Sequence, residues 1–108
     1  MTVKDELYQL ADKMNADPVH IKDEKNRVFQ VDLLESGPIQ ILLMEGKVIV
    51  EEGAPHEPEV TLKLSDKNFS KLLKDDLNTT MAFMTGSLKV DGKMGLALKL
   101  QEIVKKYQ

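Results

Sequence analysis

Val3, Leu7, Leu10, Ala11 and Met14 recur at intervals of three and four residues, the spacing of one face of a helix. Thr2 stands where an N-cap belongs, with Asp5 three positions on as an imperfect capping box. Asp17-Pro18 ends this helix, because proline disfavours the α conformation in the residue before it. Residues 18–27 are polar and read as loop. The period then drops to two. Phe29, Val31 and Leu33 alternate with Gln30 and Asp32, which predicts a first strand over about 27–34. Ser36-Gly37-Pro38 breaks it. Ile39, Ile41 and Leu43 form one face of a second strand, with Leu42 and Met44 on the other. Glu45-Gly46 is a two-residue hairpin turn. Lys47 to Glu52 is the third strand, and Gly53 to Pro58 reads as an exposed hairpin connection. Val60, Leu62 and Leu64 alternate with Thr61 and Lys63 in a fourth strand.

Ser65 caps a helix carrying Phe69, Leu72 and Leu73, which Asp75-Asp76 ends. Asn78 caps a short helix with Met81, Ala82, Phe83 and Met84, closed by Gly86. Ser87 to Val90 alternates as a fifth strand, Asp91-Gly92 turns, and a last helix runs from about Met94 to Tyr107. Strands followed by helices predict an α+β fold. Clean alternation predicts a mostly antiparallel sheet with one face covered by helices.

The stretch 81–101 closely resembles the sterol carrier protein 2 family. The matching pattern is Ala82-Phe83, Gly86, Leu88-Lys89-Val90, Gly92 and the helix from Met94 to Gln101. The order of elements upstream fits as well, so the resemblance covers nearly the whole chain. It implies a five-stranded sheet in the order 3-2-1-4-5 and a non-catalytic lipid-binding domain with an apolar tunnel. The chain departs from the family before and after Asn78. Many members have glycine and then proline there; this chain has Asp75 or Asp76, and Thr79. The departure bears on the local turn and not on the fold.

The length of 108 residues corresponds to one domain, residues 1–108. A net charge of −3 is too mild, and of the wrong sign, for a nucleic-acid binder. The lack of cysteine excludes a disulfide framework and a thiolate metal site and fits a reducing compartment. No apolar run approaches the roughly 20 residues that cross a bilayer, and Met1 to Asp5 has no signal-peptide pattern. The terminal Lys105-Lys106-Tyr107-Gln108 is not the peroxisomal address that some family members carry. The expected location is cytoplasmic. No cofactor is expected. The expected partner is a lipid or other apolar small molecule, with at most transient membrane contact, and the chain is expected to be a monomer or weak dimer.

Chemistry concentrates on the last helix. At about 100° per residue, Leu96, Ala97, Leu100, Ile103, Val104 and Tyr107 share one arc, enough to seat the helix on a sheet. Met94 and Leu98 lie outside that arc, Gln101 lies at its edge, and Lys99, Glu102, Lys105 and Lys106 fill the solvent side. An apolar pair off the stripe has two readings. One is a second core contact with the short helix. The other is a lipid cavity between the two helices, where Met81, Met84 and Met94 would repack around varied ligands. In the family the tunnel is lined by the short helix and one side of the last. The resemblance therefore implies Thr80, Phe83, Met84, Gly95, Leu98 and Gln101, with Met94, as lipid-binding residues. Gly95 would leave room, and Thr80 and Gln101 would supply polar contacts. The competing reading is a protein-interaction or dimerisation domain with a collapsed cavity.

Catalytic patterns are absent from the sequence. His20 and His56 match no ligand spacing. Ser36, Ser65, Ser70 and Ser87 sit in turn, cap, helix and strand contexts without a nucleophile elbow. The glycines do not form a phosphate loop. Glu51-Glu52, Asp75-Asp76 and Lys105-Lys106 read as solvated faces.

Overall fold

The computed structural model describes residues 2–108. Helix α1 spans Val3–Ala16 and begins with the full reciprocal box. Thr2 Oγ1 accepts from the Asp5 amide at 3.2 Å, and Asp5 Oδ2 accepts from the Thr2 amide at 3.1 Å. Aspartate is thus long enough to close the box. Hydrogen bonding from Thr2 to the Asp5 carboxyl, from the backbone amide first and then the side chain, holds it below its ordinary pKa. Val3, Leu7, Ala11 and Met14 are buried, as the spacing requires.

Residues 18–27 are more ordered than the sequence suggested. Pro18–His20 is a 3₁₀ turn, and Ile21 after it is fully buried. A lone isoleucine among charged residues has no period to betray it. The Tyr107 hydroxyl ties this turn down, donating to the Asp17 carbonyl at 2.6 Å. Burial raises the Tyr107 pKa.

The strands are β1 (Arg27–Leu33), β2 (Gly37–Met44), β3 (Lys47–Glu52), β4 (Val60–Leu64) and β5 (Leu88–Gly92). Their order is β3-β2-β1-β4-β5, and every neighbouring pair is antiparallel except β1 with β4. Register sets the core face. Val31 lies between Ile39 and Leu62, Phe29 between Ile41 and Val60, and Leu64 pairs with Leu88. These side chains are buried beneath α1, α2 (Asp66–Leu73) and α4 (Met94–Lys105). Helix α3 spans Thr79–Thr85.

The segment from Gly53 to Glu59 is not a hairpin connection. The parallel β1–β4 pair requires the chain to leave the edge strand β3 and reach β4 across the sheet. The crossing is held by Gln40, a buried amide on the outer face. Gln40 accepts from the His56 amide at 3.1 Å, donates to the His56 carbonyl at 2.7 Å, and also donates to Gln30 Oε1 at 3.1 Å. A side-chain amide here does the work of a strand partner for one residue. The outer face is therefore partly covered by chain, and not only by water.

The two helix caps in the middle of the chain form as expected. Ser65 Oγ accepts from the Asn68 amide at 3.1 Å, and Asn78 Oδ1 from the Met81 amide at 2.9 Å. At the α2 end Asp75 takes a φ of 56°, in the left-handed region; aspartate tolerates it better than most residues.

Candidate functional site

Three sequence signals place the α3–β5–α4 unit. Asn78 starts α3, and Gly86 ends it with a φ of 84°. Gly92 turns the chain from β5 into α4 with a φ of 105°. A Cβ there would sit 2.7 Å from the Glu59 carbonyl oxygen, so glycine is required by close approach as well as by dihedral. Helix α3 packs against β5 and α4.

Helix α4 divides as the 100° projection predicts. Ala97, Leu100, Ile103, Val104 and, just past its end, Tyr107 are buried, and Leu96 is half-buried. Leu98 is 40% exposed, and Met94 is half-buried against the core. Helix α3 is more unusual. Only Thr79 and Ala82, three apart on one face, are buried. Met81, Phe83 and Met84 are 55%, 45% and 74% exposed. From Leu77 to Leu88 the chain carries no charged residue, although 31% of the sequence is charged. Large apolar side chains thus face water from an uncharged helix beside α4.

The expected residues fall as follows. Thr80, Phe83 and Met84 lie exposed on α3, and Gly95 and Leu98 lie exposed on α4. A Cβ on Gly95 would meet nothing within 4 Å. Gln101 is half-buried, and its amide donates to the Leu77 carbonyl at 3.0 Å. It therefore ties α4 to the segment entering α3. Thr79, which the sequence reading passed over for Thr80, is the buried threonine of the pair, 1% exposed, and its hydroxyl has no hydrogen-bond partner. The signal available in the sequence was helical spacing from Ala82.

An enclosed apolar space lies elsewhere. It is a void of about 20 Å³ between α1, the sheet and α4, lined by Leu7, Met14, Ile41, Leu43, Leu100 and Ile103 among others. That is room for about one water, far below the several hundred Å³ of a ligand pocket. Two surface grooves of about 250 and 230 Å³ are lined in part by Lys13, Lys74 and Tyr107, and by Lys63, Gly86 and Lys89. None of the seven expected lipid-binding residues lines any of these three spaces.

His56 Nε2 lies 2.8 Å from Glu51 Oε2, both side chains well exposed. No group of three histidine, cysteine or acidic side chains is placed to hold a metal among the described residues. Among them, too, no helix is long and apolar enough to cross a membrane.

The fold is a small α+β domain: helices on one face of a 3-2-1-4-5 sheet, with an uncharged, outward-apolar helix beside the last one. The model of the SCP-2 sterol transfer family matches residues 6–105, and the chain belongs to that family. Hydroxysteroid dehydrogenase-like protein 2 of Xenopus tropicalis is 41% identical over 71 residues, 65% of this chain. The match takes in 17% of that relative's length. The sterol carrier protein domain 2 of Helicoverpa armigera superposes with a TM-score of 0.75 at 24% identity, covering 97% of this chain and 87% of that one. Palmitated SCP2L2 of Aedes aegypti superposes with a TM-score of 0.70 at 22% identity, covering 96% and 95%. These two likenesses establish the fold. Family membership supports lipid binding or transfer as the general function, an apolar small molecule as the partner, and a domain type that is typically non-catalytic.

Proposed function

We propose that residues 1–108 form a single non-catalytic domain that binds, and hands on, apolar ligands such as fatty acids, fatty acyl-CoA or sterol-like lipids. The ligand would lie between α3 and α4 against Phe83, Met84, Met94 and Leu98. Thr80 would stand at the mouth, and Gly95 would leave room for the ligand. Gln101 keeps its place by positioning the entry to α3 through the Leu77 carbonyl.

The observation that carries this reading is the exposure of Met81, Phe83, Met84 and Leu98 beside a helix buried through two small side chains only. So little buried surface holds α3 weakly, and weakly held elements open at low cost. Lifting α3 would admit an alkyl chain beneath it beside Phe83, with Met84 folding over the mouth. Burial of that chain gains roughly 25 cal/mol per Å² whatever its identity, so specificity is broad. The palmitated Aedes aegypti relative, of like fold, makes an acyl chain a natural first probe. The protein would act in the cytoplasm as a monomer or weak dimer, touching membranes transiently.

The same exposed surface also fits a protein- or self-association face. Titration of the purified chain with a fluorescent fatty acid, with its mass measured in solution, separates the two. Saturable uptake by a monomer is expected. A dimer that takes up no lipid would refute the carrier.

A further inference from the structure

Two side-chain polar atoms among the described residues are buried without a partner: Arg27 Nε and Thr79 Oγ1. The Arg27 guanidinium faces Glu59 at 3.9 Å through another nitrogen. The Thr79 hydroxyl has nothing. A buried hydroxyl left without a hydrogen bond is costly and calls for an explanation. Thr79 lies on the inward face of α3 with Ala82, the face turned to β5 and α4.

We propose that Thr79 is a specificity-determining residue whose hydroxyl hydrogen-bonds the hydroxyl group of a long-chain or sterol-like alcohol bound under α3. This rests on the carrier reading above. A threonine hydroxyl offers one donor and two acceptor sites, which complement an alcohol in both directions. A carboxylate could only accept, and no cation lies between Leu77 and Leu88 to offset its charge. A neutral alcohol oxygen is therefore the better match. In the empty protein the cost of the unpaired hydroxyl stands; the ligand removes it.

The test uses 1-dodecanol and n-tridecane, of the same length but without oxygen, as competitors of a fluorescent fatty acid, on wild-type protein, Thr79→Val and Thr79→Ser. The alkane can neither donate to Thr79 nor accept from it. The ratio of alcohol to alkane affinity should fall about three- to tenfold from wild type to Thr79→Val, the range one net hydrogen bond supplies. Thr79→Ser should keep the wild-type ratio. Thr79→Val should also melt at or above the wild-type temperature, since it removes an unpaired polar atom. An equal ratio in wild type and Thr79→Val, or a clearly lower melting temperature for Thr79→Val, would each overturn the role of Thr79. If wild type takes up neither the probe nor the alcohol, the carrier reading falls with it.

Discussion

Leu98 and Leu100 are two residues apart on α4 and point to opposite sides of it. Leu100 is 4% exposed and lines the void under α1; Leu98 is 40% exposed beside α3. Truncating each to alanine separates a packing residue from a ligand-facing one. Leucine to alanine removes three carbon groups, at about 0.8 kcal/mol each, so about 2.4 kcal/mol of transfer energy for a fully buried side chain. Leu100→Ala adds a cavity term, because its atoms border a space that already fails to close. The total expected is about 3–4 kcal/mol, within the observed span for buried leucines. Leu98 keeps a large part of its surface in water, so Leu98→Ala should cost about 1.4 kcal/mol or less. A difference near 2 kcal/mol moves a urea midpoint by about 1 M at the slopes of small domains. The assay is urea denaturation of both variants with a fluorescent fatty-acid titration of each folded protein. Leu98→Ala should change lipid affinity, and Leu100→Ala should act through unfolding. Equal midpoint shifts with unchanged lipid affinity in Leu98→Ala would refute the division of α4 into a core side and a ligand side.

Gly95→Leu should fold as stably as wild type or gain up to about 1 kcal/mol, from helix propensity at an open position, while lowering fatty-acid affinity; a melting curve and a titration on one sample check both halves. His56→Ala should change stability by less than about 0.5 kcal/mol, because its side chain pairs with Glu51 on the exposed surface. Gln40→Ala should instead cost about 1–3 kcal/mol, since it removes both part-buried hydrogen bonds that hold the His56 backbone; equal melting temperatures for the two variants would show that Gln40 does not hold the crossing segment. Burial raises the Asp66 carboxyl pKa, but hydrogen bonds from Ser36 and Glu35 outweigh this and hold it below its ordinary value. Its stabilisation is therefore complete above the unfolded carboxylate pKa of about 4 and fades as pH falls below it. Asp66→Asn should flatten that part of the acid-denaturation profile, and an unchanged profile would show that Asp66 contributes nothing to it.

Most of the fold was legible because most of the chain obeys a period. The alternation of Phe29, Val31 and Leu33, and of Val60, Leu62 and Leu64, fixes strands and their inner face at once. Ser65, Asn78 and Gly86 mark helix ends through local hydrogen bonding and dihedral preference, which need no tertiary context. What failed was non-local. Ile21 is buried because Tyr107, far along the chain, pins the turn before it. The route of residues 53–59 depends on β4 joining β1 in parallel, and no local turn signal carries that choice. Gln40 looked like an ordinary residue of a polar face, yet it is buried because a loop crosses above it.

The candidate site was legible in composition and illegible in exposure. Helical angles place Leu98 off the main stripe of α4, and its exposure follows from that. They cannot say whether Met81, Phe83 and Met84 meet a neighbour, because that depends on how near α3 lies to α4 and β5. A binding element that must part from its neighbours cannot bury its large side chains against them without raising the cost of opening. At about 25 cal/mol per Å², each phenylalanine or methionine turned inward would bind α3 more tightly to α4. Small residues on the inward face, Thr79 and Ala82, and large apolar residues left outside are what weak attachment demands. On this account the apolar surface of α3 is the counterpart of a helix that has to move. Variants that bury it better, such as Ala82→Leu with room made at α4, should gain stability and lose the speed of lipid exchange together.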